Sequence, residues 1–153
     1  MQERDIMATD SPRTNIYKIK PLGISKDGNA YRAIIVDDSK MARQVLKQIL
    51  LSVDFVVIDE IDNGGAALKV LQNPMIHVDY LFIDVEMPVM DGMEVVKTIR
   101  DTLPECKIIM VTSHSDREKV QGLIQLRIDG YIKKPFDRDT VIAKIQQIQQ
   151  SGS

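Results

Sequence analysis

Between residues 32 and 150 the apolar and polar positions follow two alternating rhythms. A short run rich in β-branched residues is followed, again and again, by a stretch whose apolar residues recur at helical spacing. Residues 33–37 form the first run, which ends in acid. Ser39 stands where a helix N-cap is expected, and Met41, Ala42, Val45, Leu46, Ile49 and Leu50 recur at helical spacing behind it. Residues 55–58 make a second apolar run, and residues 64–72 predict a second helix with Ala67, Leu68 and Leu71 inward. A third strand is predicted over 80–84, then a helix marked by Met93, Val96, Ile99 and Leu103 and stopped by Pro104. A fourth strand over 108–112 precedes a helix marked by Val120, Leu123 and Ile124. A short strand over 129–133 and a last helix, marked by Val141, Ile142, Ile145 and Ile148 and ending near Gln150, complete the pattern.

Five strands alternating with five helices predict an α/β fold, a doubly wound parallel sheet with helices on both faces. The continuous apolar strands agree, because parallel strands are buried on both sides. This domain is expected to span residues 32–150, with a tail at 151–153. Residues 1–31 read differently. The first fifteen are polar and aperiodic, and Pro21, Gly23 and Asp27-Gly28 punctuate the rest. That stretch is expected to be an N-terminal extension, flexible or carrying a short hairpin at its Asp-Gly pair.

Composition narrows the class. A chain of 153 residues suits one domain, hiding roughly 69% of its unfolded surface without staples. The single cysteine, Cys106, excludes an intrachain disulfide framework. A formal net charge of -2 gives no basic excess for nucleic acid or an anionic membrane. Apolar runs are too short for a membrane span, and no signal-peptide core opens the chain, so the cytoplasm is the expected location.

The candidate chemistry lies where each predicted strand ends, because ligands of open α/β sheets gather at the carboxyl ends of the strands. The first strand ends in Asp37-Asp38, the third in Asp84, the fourth in Thr112-Ser113 and the fifth in Lys133-Lys134. Taken singly, each has a plain structural explanation as a cap, a turn residue or a solvated charge. Together they would bring three carboxylates, two hydroxyls and an ammonium to one rim. Like charges about 5 Å apart repel by roughly 3 kcal/mol at an effective dielectric near 20, so such a rim must protonate, spread or bind a cation. Oxygen-only ligands favour Mg²⁺, and a carboxylate beside Mg²⁺ can attack phosphorus to give an aspartyl phosphate.

At these residues the sequence resembles the receiver domains of two-component response regulators. The resemblance rests on Val36-Asp37-Asp38-Ser39, Asp62-Asn63-Gly64, and Asp84-Val85-Glu86-Met87-Pro88-Val89-Met90-Asp91-Gly92. Val111-Thr112-Ser113 and Gly130-Tyr131-Ile132-Lys133-Lys134-Pro135-Phe136 complete it. It implies the strand order 2-1-3-4-5 known for CheY-like domains. It implies that Asp84 accepts a phosphoryl group from a CheA-like histidine kinase. Asp38 and Asp84 would ligate Mg²⁺ with the backbone carbonyl of Glu86, and Asp37 would hold a metal-bound water. Lys134, the lysine directly before proline, would pair with phosphoryl oxygens. Thr112 and Tyr131 would be the switch residues, and the Lys134–Pro135 bond would be cis.

With only three residues after the last helix, the chain is most similar to the single-domain members that act on the flagellar motor switch protein. The partner surface would be the fourth helix, fifth strand and fifth helix, roughly residues 116–149. Such a protein is a signalling element, catalysing only its own phosphoryl transfer and dephosphorylation. A dedicated phosphatase is a further expected partner, and neither nucleic acid nor membrane is. Glu86 and His114 occupy positions that vary within the family near the path of an attacking water, so they are candidates for tuning phosphoryl lifetime. Three other readings compete. One is a phosphorelay shuttle or a receiver outside chemotaxis. Another is a Mg²⁺-dependent aspartate-nucleophile phosphatase, loosely fitted by Asp84-Val85-Glu86. A nucleotide- or flavin-binding domain is the third, weakened by the acidic loop after the first strand.

Overall fold

The computed structural model of the protein describes residues 21–113, 121–122 and 124–151. The β-branched runs become five strands: β1 Arg32–Val36, β2 Val56–Ile61, β3 Tyr80–Asp84, β4 Lys107–Thr112 and β5 Gly130–Lys133. They pair in parallel in the order β2-β1-β3-β4-β5, the order the sequence motifs imply. The central β3 is buried at every position, as a strand covered on both faces must be.

Of the helices, α1 Lys40–Ser52, α2 Gly64–Leu71 and α3 Gly92–Ile99 lie between strands, and α4 Arg138–Ser151 follows β5. Polar side chains start three of them by taking otherwise unpaired N–H groups. Ser39 accepts from the Ala42 N–H, and Asn63 from the Ala66 N–H. Asp91 and Glu94 form a reciprocal capping box at α3.

The core has two halves, one on each side of the sheet. Ile34, Val36, Leu81, Ile83, Ile108 and Met110 pack with α2 and α3 through Ala67, Leu71, Val95, Val96 and Ile99. Ala33, Ile35, Phe82, Ile109 and Ile132 pack with α1 and α4 through Leu46, Ile49, Leu50, Val141, Ile145 and Ile148. The alternation along each strand sends successive side chains to opposite halves.

Several elements differ from the sequence expectation. β2 runs to Ile61, well past residue 58. It is an edge strand, so Asp59 and Glu60 reach solvent and break the apolar run without ending the ladder. A register irregularity between Ala33 and Ile34 sits opposite this stretch. α3 ends at Ile99, and a 3₁₀ turn over Arg100–Thr102 follows, placing Leu103 beyond the α-helix. Arg100 explains the stop: its buried guanidinium donates to the carbonyls of Leu103 and Cys106 at 2.6 and 2.8 Å. Met41 and Val45, at helical spacing in α1, are exposed. Of the helix expected between β4 and β5, Val120 and Leu123 lie outside the described residues, and Ile124 is exposed.

Residues 21–31 pack against the end of the sheet opposite the strand carboxyl termini. Ile24 and Ala30 form an isolated antiparallel bridge around a turn in which Gly28 has φ +86°. The Gly23 N–H donates to the Val53 carbonyl, the Tyr31 N–H to the Gly23 carbonyl and the Val56 N–H to the Tyr31 carbonyl, at 2.7, 2.7 and 2.9 Å. Tyr31 joins Phe55 and Tyr80 in an aromatic cluster with ring centroids 5.0 to 5.9 Å apart. A Cβ at Gly23 would fall 2.2 Å from the Phe55 nitrogen, so only glycine allows this approach. Among the described residues no helix is long and apolar enough to cross a membrane.

Candidate functional site

The acidic rim forms where β1 and β3, neighbours in the sheet, end side by side. Asp37 follows the last residue of β1 and is buried, Asp84 ends β3 and is buried, and Asp38 is exposed at the mouth. One carboxylate oxygen from each lies within 4.8 Å of the others. Asp37 is fixed locally: its Oδ1 accepts from the Ser39 N–H at 2.9 Å, so the residue that turns the chain into α1 also aims a carboxylate.

Lys134 enters from the loop after β5. Its Nζ lies 2.7 Å from Asp37 Oδ2 and 3.3 Å from Asp84 Oδ2, and its N–H donates to the Thr112 carbonyl at 2.7 Å. The peptide bond from Lys134 to Pro135 is cis. Burial alone would push the Lys134 ammonium down. Its hydrogen bond to Asp37 and the charges of Asp84 and Asp37 outweigh that and hold it above its ordinary value. Asp84 is also held high, which for a carboxyl disfavours the charged form. Burial, then the charge of Asp37, push its carboxyl up to about 7 against the pull of Lys134. Three carboxylates facing one ammonium leave an excess of negative charge, and every donor in the cluster is a carboxylate oxygen. That donor set and charge fit a hard divalent cation such as Mg²⁺.

Thr112 ends β4 and is buried. Glu86 lies in the loop after β3; its N–H donates to Asp84 Oδ1 at 3.2 Å, and its carboxylate accepts from the Thr112 hydroxyl. Tyr131, on β5, is exposed, with the Lys144 Nζ 5.5 Å from its ring centroid. Lys133 is also exposed. Ser113 lies outside the carboxylate cluster, exposed. His114 lies outside the described residues.

Three contributors are not evident from the sequence pattern. Arg43, on α1, donates through Nη1 to the Asp37 carbonyl at 2.7 Å and lies 3.8 Å from Glu60. Its spacing of six residues from Asp37 is the one available hint. Met41 and Val45 are exposed because they line, with Pro135 and Phe136, a groove of about 340 Å³ beside Lys134. Finally, glycines clamp the loop after Asp84. A Cβ at Gly92 would lie 2.2 Å from the Asp84 carbonyl oxygen, and one at Gly64 would lie 2.6 Å from the Met90 carbonyl oxygen. Between these clamps Val89 is fully exposed at φ +70°, a conformation that β-branched residues rarely adopt.

Comparison with known proteins agrees with this geometry. Residues 33–146 match the family model described as the response regulator receiver domain. The chemotaxis protein CheY of Halobacterium salinarum is 33% identical over 119 residues, covering 78% of this chain and 97% of that protein. A cyclic di-GMP phosphodiesterase of Thermotoga maritima is 35% identical over 112 residues, covering 73% of this chain but 29% of the enzyme. Among solved structures, CheY in a CheX–CheY–BeF3–Mg²⁺ complex from Borrelia burgdorferi superposes with a TM-score of 0.80 at 29% identity. The match covers 86% of this chain and 98% of that one.

Proposed function

The chain belongs to the response regulator receiver domain family, and we propose that it is a phosphorylation-activated switch whose acceptor is Asp84. The observation that carries this reading is the juxtaposition at the strand ends: a buried carboxylate with two more carboxylates within 4.8 Å and one ammonium at 3.3 Å.

Asp84 supplies the nucleophilic oxygen. A CheA-like histidine kinase presents a phosphohistidine, the Asp84 oxygen bonds to phosphorus, and the N–P bond breaks with its electron pair staying on the imidazole. Asp84 reacts as the carboxylate, so whatever favours its ionised form assists the step. Lys134 does so at 3.3 Å and can follow the charge onto the transferred oxygens. Asp37, Asp38 and Asp84, with the Glu86 carbonyl, would hold Mg²⁺. That ion neutralises charge on the phosphoryl oxygens when bound. Thr112 then donates its hydroxyl to the new phosphoryl group, and Tyr131, exposed on β5, follows it inward. Hydrolysis of the acyl phosphate resets the switch, with Glu86 and His114 setting its lifetime.

The output we propose is chemotaxis control through the flagellar motor switch protein, in the cytoplasm, with a dedicated phosphatase ending the signal. The support is that the chemotaxis relatives are matched over nearly their whole length. Incubation with Mg²⁺ and acetyl phosphate, followed by intact mass, tests the acceptor. Wild type gains one phosphoryl group and Asp84→Asn gains none; a gain that survives in Asp84→Asn refutes the site. Repeated turnover of a phosphomonoester would instead identify a phosphatase. Capture of motor-switch peptides only by phosphorylated protein tests the output.

A further inference from the structure

We infer that Glu86 is a positioning residue that holds the Thr112 hydroxyl away from Asp84 and so sets the threshold for phosphoryl capture. The inference rests on Asp84 as the acceptor. Thr112 Oγ1 lies 3.3 and 3.4 Å from the two carboxylate oxygens of Glu86, and Thr112 is buried. A hydroxyl has one proton to donate. Donation to Glu86 and donation to a phosphoryl oxygen on Asp84 therefore exclude one another.

The backbone sets this competition in place. Asp84 pairs with Val111 across β3 and β4, so Thr112 sits one residue beyond the acceptor on the adjoining strand. The Glu86 N–H, 3.2 Å from Asp84 Oδ1, ties the loop that carries the competing carboxylate to the acceptor side chain itself. The contact is long for a hydroxyl donor and is shared between both carboxylate oxygens, so its opposition to capture is modest. A phosphoryl group on Asp84 would bring further negative charge toward the same carboxylate. Thr112 must leave Glu86 as it turns to the phosphoryl oxygen, and Glu86 gives up that donor as the new charge arrives. Capture is therefore opposed in the wild type by a contact that an alanine at position 86 would not make. This role differs from tuning hydrolysis, because it acts before the acyl phosphate exists.

Direct repulsion between Glu86 and the phosphoryl charge would also oppose capture, and a double-mutant cycle separates the two causes. The full chain, as wild type, Glu86→Ala, Thr112→Val and the double variant, is titrated with beryllofluoride in Mg²⁺ and followed by NMR. In the Thr112 background, Glu86→Ala binds roughly three- to tenfold tighter, the ratio expected for releasing a hydroxyl from one hydrogen bond of ordinary strength. In the Thr112→Val background the same change alters affinity by less than about twofold. An equal gain in both backgrounds assigns the effect to repulsion alone and overturns the inference, as does the absence of any gain. If the wild type binds no beryllofluoride, the receiver reading falls and this inference with it. If the wild type binds but the ratios match, only this inference falls.

Discussion

Removing one charge from the acidic rim should make the protein more stable. Asp84→Asn keeps the shape of the side chain and deletes its charge. At an effective dielectric near 20, two unit charges 4.8 Å apart repel by about 3.5 kcal/mol, and Asp84 faces both Asp37 and Asp38 within that distance. Against this, Lys134 at 3.3 Å attracts it by about 5 kcal/mol on the same scale. The difference leaves the ionised Asp84 unfavourable by about 2 kcal/mol. Its raised titration points the same way. A carboxyl held at about 7 instead of 3.8, first by burial and then by the charge of Asp37, disfavours its ionised form by up to about 4 kcal/mol. Proton uptake gives the direction with pH. Between pH 4 and 7 the folded chain binds a proton at Asp84 that the unfolded chain has released, so stability falls as pH rises through that window.

Urea denaturation in EDTA at pH 8 should therefore give Asp84→Asn about 2 kcal/mol more stability than wild type. The gap should narrow as pH falls and nearly close only at about pH 4, where the unfolded carboxyl also takes up its proton. Mg²⁺ should reverse the order at pH 8, adding about 2.7 kcal/mol to wild type at a hundredfold excess over its Kd and little to the variant. If Asp84→Asn is less stable than wild type at pH 8 in EDTA, repulsion does not govern the rim.

Packing supports three more expectations. Gly92→Ala would force a Cβ to 2.2 Å from the Asp84 carbonyl oxygen. It should cost about 3 kcal/mol in urea denaturation and slow phosphorylation by acetyl phosphate, because relief requires moving the acceptor's backbone. Val89→Asn should stabilise by about 1 kcal/mol in thermal denaturation, since Asn tolerates the left-handed region and Val89 buries nothing. Gly23→Ala should destabilise by about 2 kcal/mol or more and release residues 21–31, read as faster amide exchange at Tyr31 and Val56.

The order of strands was legible through the motifs, and the two-faced core through alternation and helical spacing, which depend on neighbours in sequence. The acidic triad was legible for a related reason: in a parallel sheet the strand ends share one edge, so reading the last residue of each strand reads the rim. What escaped the sequence depends on contacts between distant segments. β2 looked too short because an edge strand can carry Asp59 and Glu60 without losing its pairing. Leu103 looked helical because its spacing fits, while the stop comes from Arg100 reaching carbonyls of the following segment. Met41 and Val45 share the spacing of buried residues but face a groove whose other wall, Pro135 and Phe136, comes from the far end of the chain. Arg43 and the glycine clamps are invisible until distant stretches of backbone are brought together.

Those clamps have one more consequence. Gly92 and Gly64 let the main chain come close at Asp84 and at Met90, the two ends of the loop that carries Glu86 and Val89. The path of the segment is thus fixed where backbone meets backbone, while the side chains at 86 and 89 are respectively half-buried and exposed. Substitutions there can change what an incoming molecule meets without relocating the aspartate it comes to find. The segment works as an interchangeable cassette in a rigid frame, where timing and partner preference could drift over generations while the chemistry beneath stays put.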